Sequence, residues 1–160
     1  MAQLALRFDL RNRAEGPTAT AELYPACLEM CEWGDRVGLD YAVMSEHHGT
    51  DDGFLPAPLA MAALVTGRTR RLRVSIACMI APVNDPIRVA EEMAVLDLAS
   101  RGRVSVVLGA GYRPEEFAMY GVDRSRRGEL LEEFVRALRS AWTGEPFEWR
   151  GRTVRVTPTP

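Results

Sequence analysis

The sequence predicts an α/β fold in which parallel strands alternate with helices. Short apolar runs recur along the chain, and longer segments with a helical period separate them. The composition, 47% hydrophobic and 26% charged over 160 residues, is that of an ordinary globular domain. We therefore expect one domain over residues 1–160, built from about four βα units.

Four apolar runs have the length and composition of β-strands. Each contains β-branched or aromatic residues. The runs are Leu4–Phe8, Tyr41–Met44, Leu72–Ile80 and Val104–Leu108.

The segments between and after these runs predict four helices. The third is the best marked, with Asp85 as N-cap, Pro86 in the first turn and Gly102 at its end. The predicted helices cover Thr20–Gly38, Ala57–Gly67, Asp85–Gly102 and approximately Ser125–Trp142. After Gly144, "EPFEWRGRTVRV" predicts a β-hairpin that turns at Arg150 and Gly151.

Two α/β architectures fit this order of elements. A doubly wound sheet usually has a Gly-rich loop after its first strand, and "FDLRNRAEGP" contains none. The other architecture, a (β/α)₈ TIM barrel, needs about 250 residues, so four βα units form its N-terminal half. A half-barrel leaves unpaired sheet edges, which predicts a homo-oligomer (a dimer) or a second half-barrel chain as partner.

Charge and composition exclude several other classes of protein. A net charge of −2 argues against binding to nucleic acid, and three cysteines define no disulfide framework. The N-terminal "MAQLALRFDLRN" has no signal-peptide pattern, and no apolar run is long enough for a membrane span. We expect a cytoplasmic protein that has no membrane partner and acts on a small-molecule substrate.

The carboxyl ends of the predicted strands carry the candidate functional residues, because barrel enzymes place their sites there. The second strand ends at Glu46, His47 and His48, which include the only two histidines of the chain. Adjacent residues leaving a strand point in opposite directions, so the histidines are poorly placed to share a metal ion, and we expect none. A metal-dependent hydrolase would need both histidines and Asp51. The remaining interpretations of His47 are a general base, a donor to a developing anion, or a loop residue.

Three stretches together resemble the bacterial luciferase-like monooxygenases, a family of flavin- and deazaflavin-dependent barrel enzymes. They are "EHH", "RVSIACMIAPVNDPIRVAEEMAVLDLASRGRVSVVLGAGY" and "PEEFAMYGVDRSRRGELLEEFVRALRSAWTGEPFEWRGRTVRVTPTP". The resemblance implies a TIM barrel that binds reduced FMN or coenzyme F(420) in its mouth. It assigns His47 as the catalytic histidine and places a non-prolyl cis peptide at Ala77–Cys78. The cofactor-binding residues that it implies are Glu46, Ala77, Cys78, Met79, Gly109, Ala110 and Gly111.

The resemblance also implies the reaction. An FMN enzyme of this family would use O₂ to oxygenate a small organic substrate, and a deazaflavin enzyme would instead transfer hydride. Luciferases proper have an Arg at the position of Ala110, so the choice between FMN and coenzyme F(420) stays open. The family's chains are about twice as long as this one, as an eight-stranded barrel requires. A non-catalytic half-barrel that dimerises is therefore a further interpretation.

Overall fold

The computed structural model describes residues 3–12 and 20–160, which fall into two compact units. The first unit contains the described residues up to Met79 together with Arg103–Val107. The second contains Ile80–Gly102 and Leu108–Pro160. The expectation of one domain over residues 1–160 stays a prediction.

A four-stranded parallel sheet is the centre of the fold, as the sequence predicted. Its strands are β1 (Ala5–Phe8), β2 (Tyr41–Met44), β3 (Arg73–Ile80) and β4 (Val104–Gly109), in that spatial order. Ala5 lies opposite Tyr41 and Tyr41 opposite Arg73, so the first three strands are in continuous register. Because consecutive strands are neighbours, each connection is a βα crossover, and the predicted βα units are confirmed.

The two faces of the sheet differ in burial. One face carries apolar core side chains that are at most 9% exposed, namely Phe8, Ala42, Met44, Val74, Ile76 and Val104. The opposite face, which we call the open face, is half-buried or exposed. The open face consists of Ala5, Arg7, Tyr41, Val43, Arg73, Ser75, Ser105 and Val107.

Helices α1 (Thr20–Val37) and α2 (Pro58–Arg68) belong to the first unit and pack against each other. Cys27 and Cys31 lie one turn apart on α1 and are both buried, where they pack as small apolar groups. Near the end of α1, the Asp35 carboxylate accepts hydrogen bonds of 2.6–3.0 Å from the backbone N–H groups of residues 70–72. These bonds fix the segment that leads into β3.

The second unit is largely helical, with α3 (Pro86–Ser100), α4 (Pro114–Tyr120) and α5 (Arg127–Ala141). The predicted N-cap is confirmed, since Asp85 Oδ1 accepts from the N–H groups of Ile87 and Arg88 at 2.9 and 3.0 Å. At the other end, Arg101 is the C-cap, with a φ of 60°, and Gly102 follows with a φ of 75°. Among the described residues, no helix combines the length and the apolar character that crossing a membrane requires.

Two features of the second unit differ from the prediction. Helix α4 was not predicted, and the long helix begins at Arg127 rather than at Ser125. Asp123 caps a short 3₁₀ helix, Arg124–Arg126, that precedes α5. The predicted hairpin is confirmed, with β5 (Phe147–Trp149) and β6 (Arg152–Val154) joined at Arg150 and Gly151, which both have positive φ.

Candidate functional site

The carboxyl end of β2 contains a buried, hydrogen-bonded pair of side chains. Glu46 and His48 are only 4% and 5% exposed, and Glu46 Oε1 lies 3.1 Å from His48 Nε2. Residues two apart in an extended segment project to the same side, which brings these two side chains together. The pair gives the segment after β2 a fixed internal structure.

His47, between these two residues, has a different environment. Its side chain is half-buried and meets the Phe54 ring edge to face, with centroids 4.6 Å apart and planes at 84°. Its backbone N–H donates to Leu55 O at 3.2 Å, which holds the residue beside the loop that carries Phe54. The imidazole is therefore positioned by packing while it stays open to a small molecule.

The loop after β2 is tied to the segment that follows β1. Asn12 N donates to Asp52 O at 2.8 Å, and Leu55 N donates to Asp9 O at 3.0 Å. The Arg11 guanidinium donates to the Asp52 carboxylate, and this hydrogen bond lowers the pKa of Asp52 below its ordinary value. The loop after β2, which faces His47, is thus fixed by contacts with Asp9, Arg11 and Asn12.

A second group of contacts surrounds the end of β3. The peptide bond between Ala77 and Cys78 is cis, which confirms the predicted position. Ser45 Oγ donates to Ala77 O at 2.9 Å and accepts from Arg7 Nη2 at 3.0 Å. Glu46 N donates to Cys78 O at 3.3 Å. Both carbonyls of this dipeptide are therefore held by the end of β2.

The predicted site residues of the first unit differ in accessibility. His47, Ala77 and Cys78 are half-buried and can meet a ligand directly. Glu46 and Met79 are 4% and 1% exposed, so their side chains face the protein interior. These two residues can act on a ligand only through their neighbours or through their backbone.

Three further residues contact this region and were not singled out from the sequence, namely Arg7, Ser45 and Phe54. The sequence held a signal for Arg7, since a period of two puts it on the face opposite Leu6 and Phe8. Ser45 immediately precedes "EHH", where a hydroxyl can bond to a neighbouring strand. The contact of Phe54 with His47 could not be predicted, because no local sequence pattern indicates which aromatic ring packs against this histidine.

The predicted glycine-containing stretch belongs to the second unit, where β4 ends. Gly109, Ala110 and Gly111 are all half-buried. Gly111 has a φ of 72°, and a Cβ there would lie 2.7 Å from Ile80 Cγ2 and 3.1 Å from the Phe117 ring. Packing therefore gives one reason for glycine at position 111, and Gly109, Ala110 and Gly111 stay predicted cofactor contacts.

No group of three or more His, Cys, Asp or Glu side chains could hold a metal ion within residues 3–12 and 20–160. The His48 ring faces the Glu46 carboxylate, and the His47 ring faces Phe54. The geometry of the two histidines thus offers no common ligand position.

The fold agrees with comparisons to known proteins. The family model described as luciferase-like monooxygenase matches residues 8–160, and the chain belongs to that family. A curated relative, the oxygenase component of the flavin-dependent trigonelline monooxygenase of Acinetobacter baylyi, is 28% identical over 151 residues. That match covers 91% of this chain and 42% of the relative, so the chain spans less than half of the relative's length.

Two solved structures likewise match nearly all of this chain and less than half of their own length. The monooxygenase RslO1 of Streptomyces bottropensis superposes with a TM-score of 0.85 at 26% identity, over 99% of this chain and 48% of that one. The oxygenating constituent of 3,6-diketocamphane monooxygenase of Pseudomonas putida, in complex with FMN, gives a TM-score of 0.84 at 20% identity, covering 95% and 42%.

An F(420)-dependent secondary alcohol dehydrogenase gives a TM-score of 0.74 at 21% identity, covering 96% of this chain and 46% of that chain. The neighbours are TIM-barrel enzymes, and the four βα units with their terminal hairpin correspond to the N-terminal half of such a barrel.

Proposed function

We propose that this chain forms the flavin site of a flavin-dependent monooxygenase that uses reduced FMN and O₂ to oxidise a small organic substrate. The observation that carries the proposal is the arrangement at the ends of β2 and β3. There a half-buried imidazole, His47, lies in the same short segment as the residues that bond to both carbonyls of Ala77–Cys78.

The residues at these strand ends fit the ring system of a flavin. Ala77 and Cys78 have small, half-buried side chains, and such a surface accepts a flat aromatic ring. An imidazole can donate to or accept from the polar edge of that ring. We assign Ala77, Cys78 and His47 to direct contact with the ring. Contact of Gly109 and Ala110 with a cofactor stays a prediction of the family resemblance. Glu46 and Met79 would support these residues from the interior.

Reduced FMN, when bound, would supply the electrons for the reaction with O₂. In this reaction, residues of this chain would position the reacting groups, and one of them would hold a proton. An imidazole such as that of His47 donates at one ring nitrogen and accepts at the other, so it can pass a proton between a bound cofactor and a substrate. The Phe54 ring excludes water from one side of this imidazole and restricts its orientation.

The experiment that tests the proposal is an anaerobic titration of the purified chain with reduced FMN and, separately, with reduced coenzyme F(420). We expect FMN to bind at about one molecule per chain, and His47→Ala to weaken its binding by about tenfold, or 1.4 kcal/mol. The matched control is Asp51→Ala, which removes an exposed side chain from the same loop and should leave the binding unchanged.

The other interpretations give different results in this titration. Preference for coenzyme F(420) would assign the protein to deazaflavin-dependent hydride transfer. Failure of both cofactors to bind would contradict a site formed by this chain alone and would favour a non-catalytic half-barrel. A metal-dependent hydrolase would lose bound metal and activity in both His47→Ala and Asp51→Ala, so metal analysis of the two variants separates it from the flavin enzyme.

A further inference from the structure

Three neighbouring strands contribute one group each to a series of hydrogen bonds. Arg7 Nη2 donates to Ser45 Oγ at 3.0 Å, and Ser45 Oγ donates to Ala77 O at 2.9 Å. Arg7 lies in β1, Ser45 directly follows β2, and Ala77 lies in β3. All three residues belong to the first unit. The series ends on the peptide that joins Ala77 to Cys78, the two small residues assigned to contact with the flavin ring.

The chemistry of the three groups fixes the direction of these bonds. A guanidinium can only donate, and a peptide carbonyl can only accept. The Ser45 hydroxyl has one proton, and because Arg7 donates to its oxygen, that proton is directed to Ala77 O. Two hydrogen bonds in series strengthen each other. Ser45 is only 5% exposed, so water has little access to its hydroxyl.

Net charge is a less specific feature of this region. Arg7 is exposed, and the exposed Asp9 lies two residues further along on the same side. The Asp9 carboxylate accepts a hydrogen bond from Arg11 N at 3.2 Å. A cation and a carboxylate that lie close together largely offset each other at a distance. The specific contribution of Arg7 is therefore a donor that occupies the Ser45 oxygen.

The two carbonyls of the dipeptide are held in different ways. Glu46 N donates to Cys78 O at 3.3 Å, and any residue at position 46 except proline could make this backbone bond. The bond to Ala77 O comes from a side chain and needs a hydroxyl at position 45. The orientation of the Ala77–Cys78 peptide therefore depends on the identity of residue 45.

We propose that Ser45 is a positioning residue for the flavin and that Arg7 orients its hydroxyl. Through the bond to Ala77 O, the two residues hold the Ala77–Cys78 peptide in the orientation that the ring requires, and neither of them touches the ring. This inference rests on the proposed function, since it takes Ala77 and Cys78 as contacts of the ring. A displacement of about 1 Å in such a supporting surface is enough to lower a reaction rate about a hundredfold.

The first test compares variants in anaerobic titrations with reduced FMN. Ser45→Ala removes the hydroxyl and should weaken binding by about tenfold, whereas Ser45→Thr keeps a hydroxyl and should bind within about twofold of the wild type. Arg7→Met removes the charge but still lets the hydroxyl donate to Ala77 O, so it should weaken binding less than Ser45→Ala does.

The visible circular dichroism of the bound flavin separates positioning from stability. At saturating FMN the spectrum of Ser45→Ala should differ from that of the wild type, which a loss of stability alone would not cause. An unchanged affinity or an unchanged spectrum in Ser45→Ala would overturn the proposal. So would an equal loss in Ser45→Thr, or a larger loss in Arg7→Met, which would assign the effect to charge.

A second measurement needs no flavin. Cys78 is half-buried, whereas Cys27 and Cys31 are at most 2% exposed, so iodoacetamide should alkylate Cys78 first. In Ser45→Ala the peptide before Cys78 is less restricted, so Cys78 should react at least about threefold faster than in the wild type. The rates at Cys27 and Cys31 report general unfolding and should not change. An unchanged rate at Cys78, or an equal rise at all three cysteines, would contradict the positioning role.

The two measurements allow this inference and the proposed function to fail separately. If the wild type bound no FMN, the flavin site would be contradicted, and the alkylation rates would still decide whether Ser45 holds the dipeptide. If Ser45→Ala does not fold, Arg7→Met carries both measurements with smaller expected changes, because Arg7 is exposed and its replacement leaves the core intact.

Discussion

The imidazole of His48 lies against a carboxylate that has almost no access to solvent. Its Nε2 is 3.1 Å from Glu46 Oε1, and both side chains are at most 6% exposed. His47 next to it is half-buried and contacts an aromatic ring. The two adjacent histidines therefore differ in role. His48 supports the segment after β2, and His47 is the histidine that a ligand can reach.

This difference predicts unequal effects of the two alanine substitutions on stability. His48→Ala removes a buried hydrogen bond to a carboxylate and should lower the free energy of unfolding by about 1–3 kcal/mol. His47→Ala removes a half-buried ring and should cost less than about 1 kcal/mol. Urea unfolding followed by circular dichroism measures both. Equal losses for the two variants would contradict the assignment of separate roles.

Gly111 gives a second prediction at the scale of one residue. A Cβ at this position would meet Ile80 Cγ2 at 2.7 Å, and the backbone already has a φ of 72°. Gly111→Ala should therefore lower the free energy of unfolding by about 2–4 kcal/mol, from overpacking together with the cost of a positive φ.

Gly121→Ala is the matched control for this prediction. Gly121 has a φ of 65°, and the methyl group that alanine adds would have no packing neighbour within 4 Å, so the substitution should cost only about 1 kcal/mol. Thermal unfolding of both variants separates packing from backbone conformation. If the two losses were the same, close packing at Gly111 would not be the reason for glycine there.

At the scale of elements, caps and apolar runs made most of the fold predictable. The Asp85–Pro86 start of α3 and the apolar runs that form β1–β4 are local signals, and the structure has them as expected. Helix α4 escaped prediction because it has only seven residues, of which Glu116 and Phe117 are the buried ones. Two adjacent buried positions give no helical period.

The candidate site also combines features that local sequence signals predict with contacts that depend on the tertiary fold. The position of "EHH" at a strand end is a local signal, and so is the spacing of two that puts Glu46 beside His48. The contact of His47 with Phe54 is not, because its two partners come together only when the loop folds back. The bond from Ser45 Oγ to Ala77 O likewise joins residues from two strands, and sequence alone does not give their register.

The connection between α1 and the segment before β3 gives a prediction about pH. Burial by itself would raise the pKa of the Asp35 carboxyl, but the backbone N–H groups of residues 70–72 donate to it and hold its pKa below the ordinary value. Because the pKa is lower in the folded than in the unfolded state, this carboxylate stabilises the fold at neutral pH. That contribution is lost as the pH falls through the folded-state pKa.

Asp35→Asn tests this contribution. The variant keeps one acceptor oxygen but cannot titrate, so the difference in unfolding free energy between wild type and variant should shrink as the pH falls below about 4. Denaturant unfolding at a series of pH values measures that difference. A difference that stays constant from neutral to acid pH would show that the charge of Asp35 does not stabilise the fold.

At the scale of the whole molecule, β1 and β4 are the two edges of the described sheet. The strand order β1-β2-β3-β4 gives β2 and β3 a neighbour on both sides, and β1 and β4 a neighbour on one side. The open face and the edges belong together physically, because both need a further layer of βα structure to be covered. This chain covers 42% of the trigonelline monooxygenase component and 48% of RslO1. The rest of each relative's length is enough for that further layer.

Hydrogen exchange measures this incomplete pairing directly. No strand among the described residues bonds to the outer side of β1, so we expect β1 to exchange at least about tenfold faster than β2 and β3 in the purified chain. The measurement is exchange followed by mass spectrometry on peptides that cover residues 3–9, 41–45 and 73–80. Protection of β1 equal to that of β2 would mean that the edge is covered, and it would contradict this expectation.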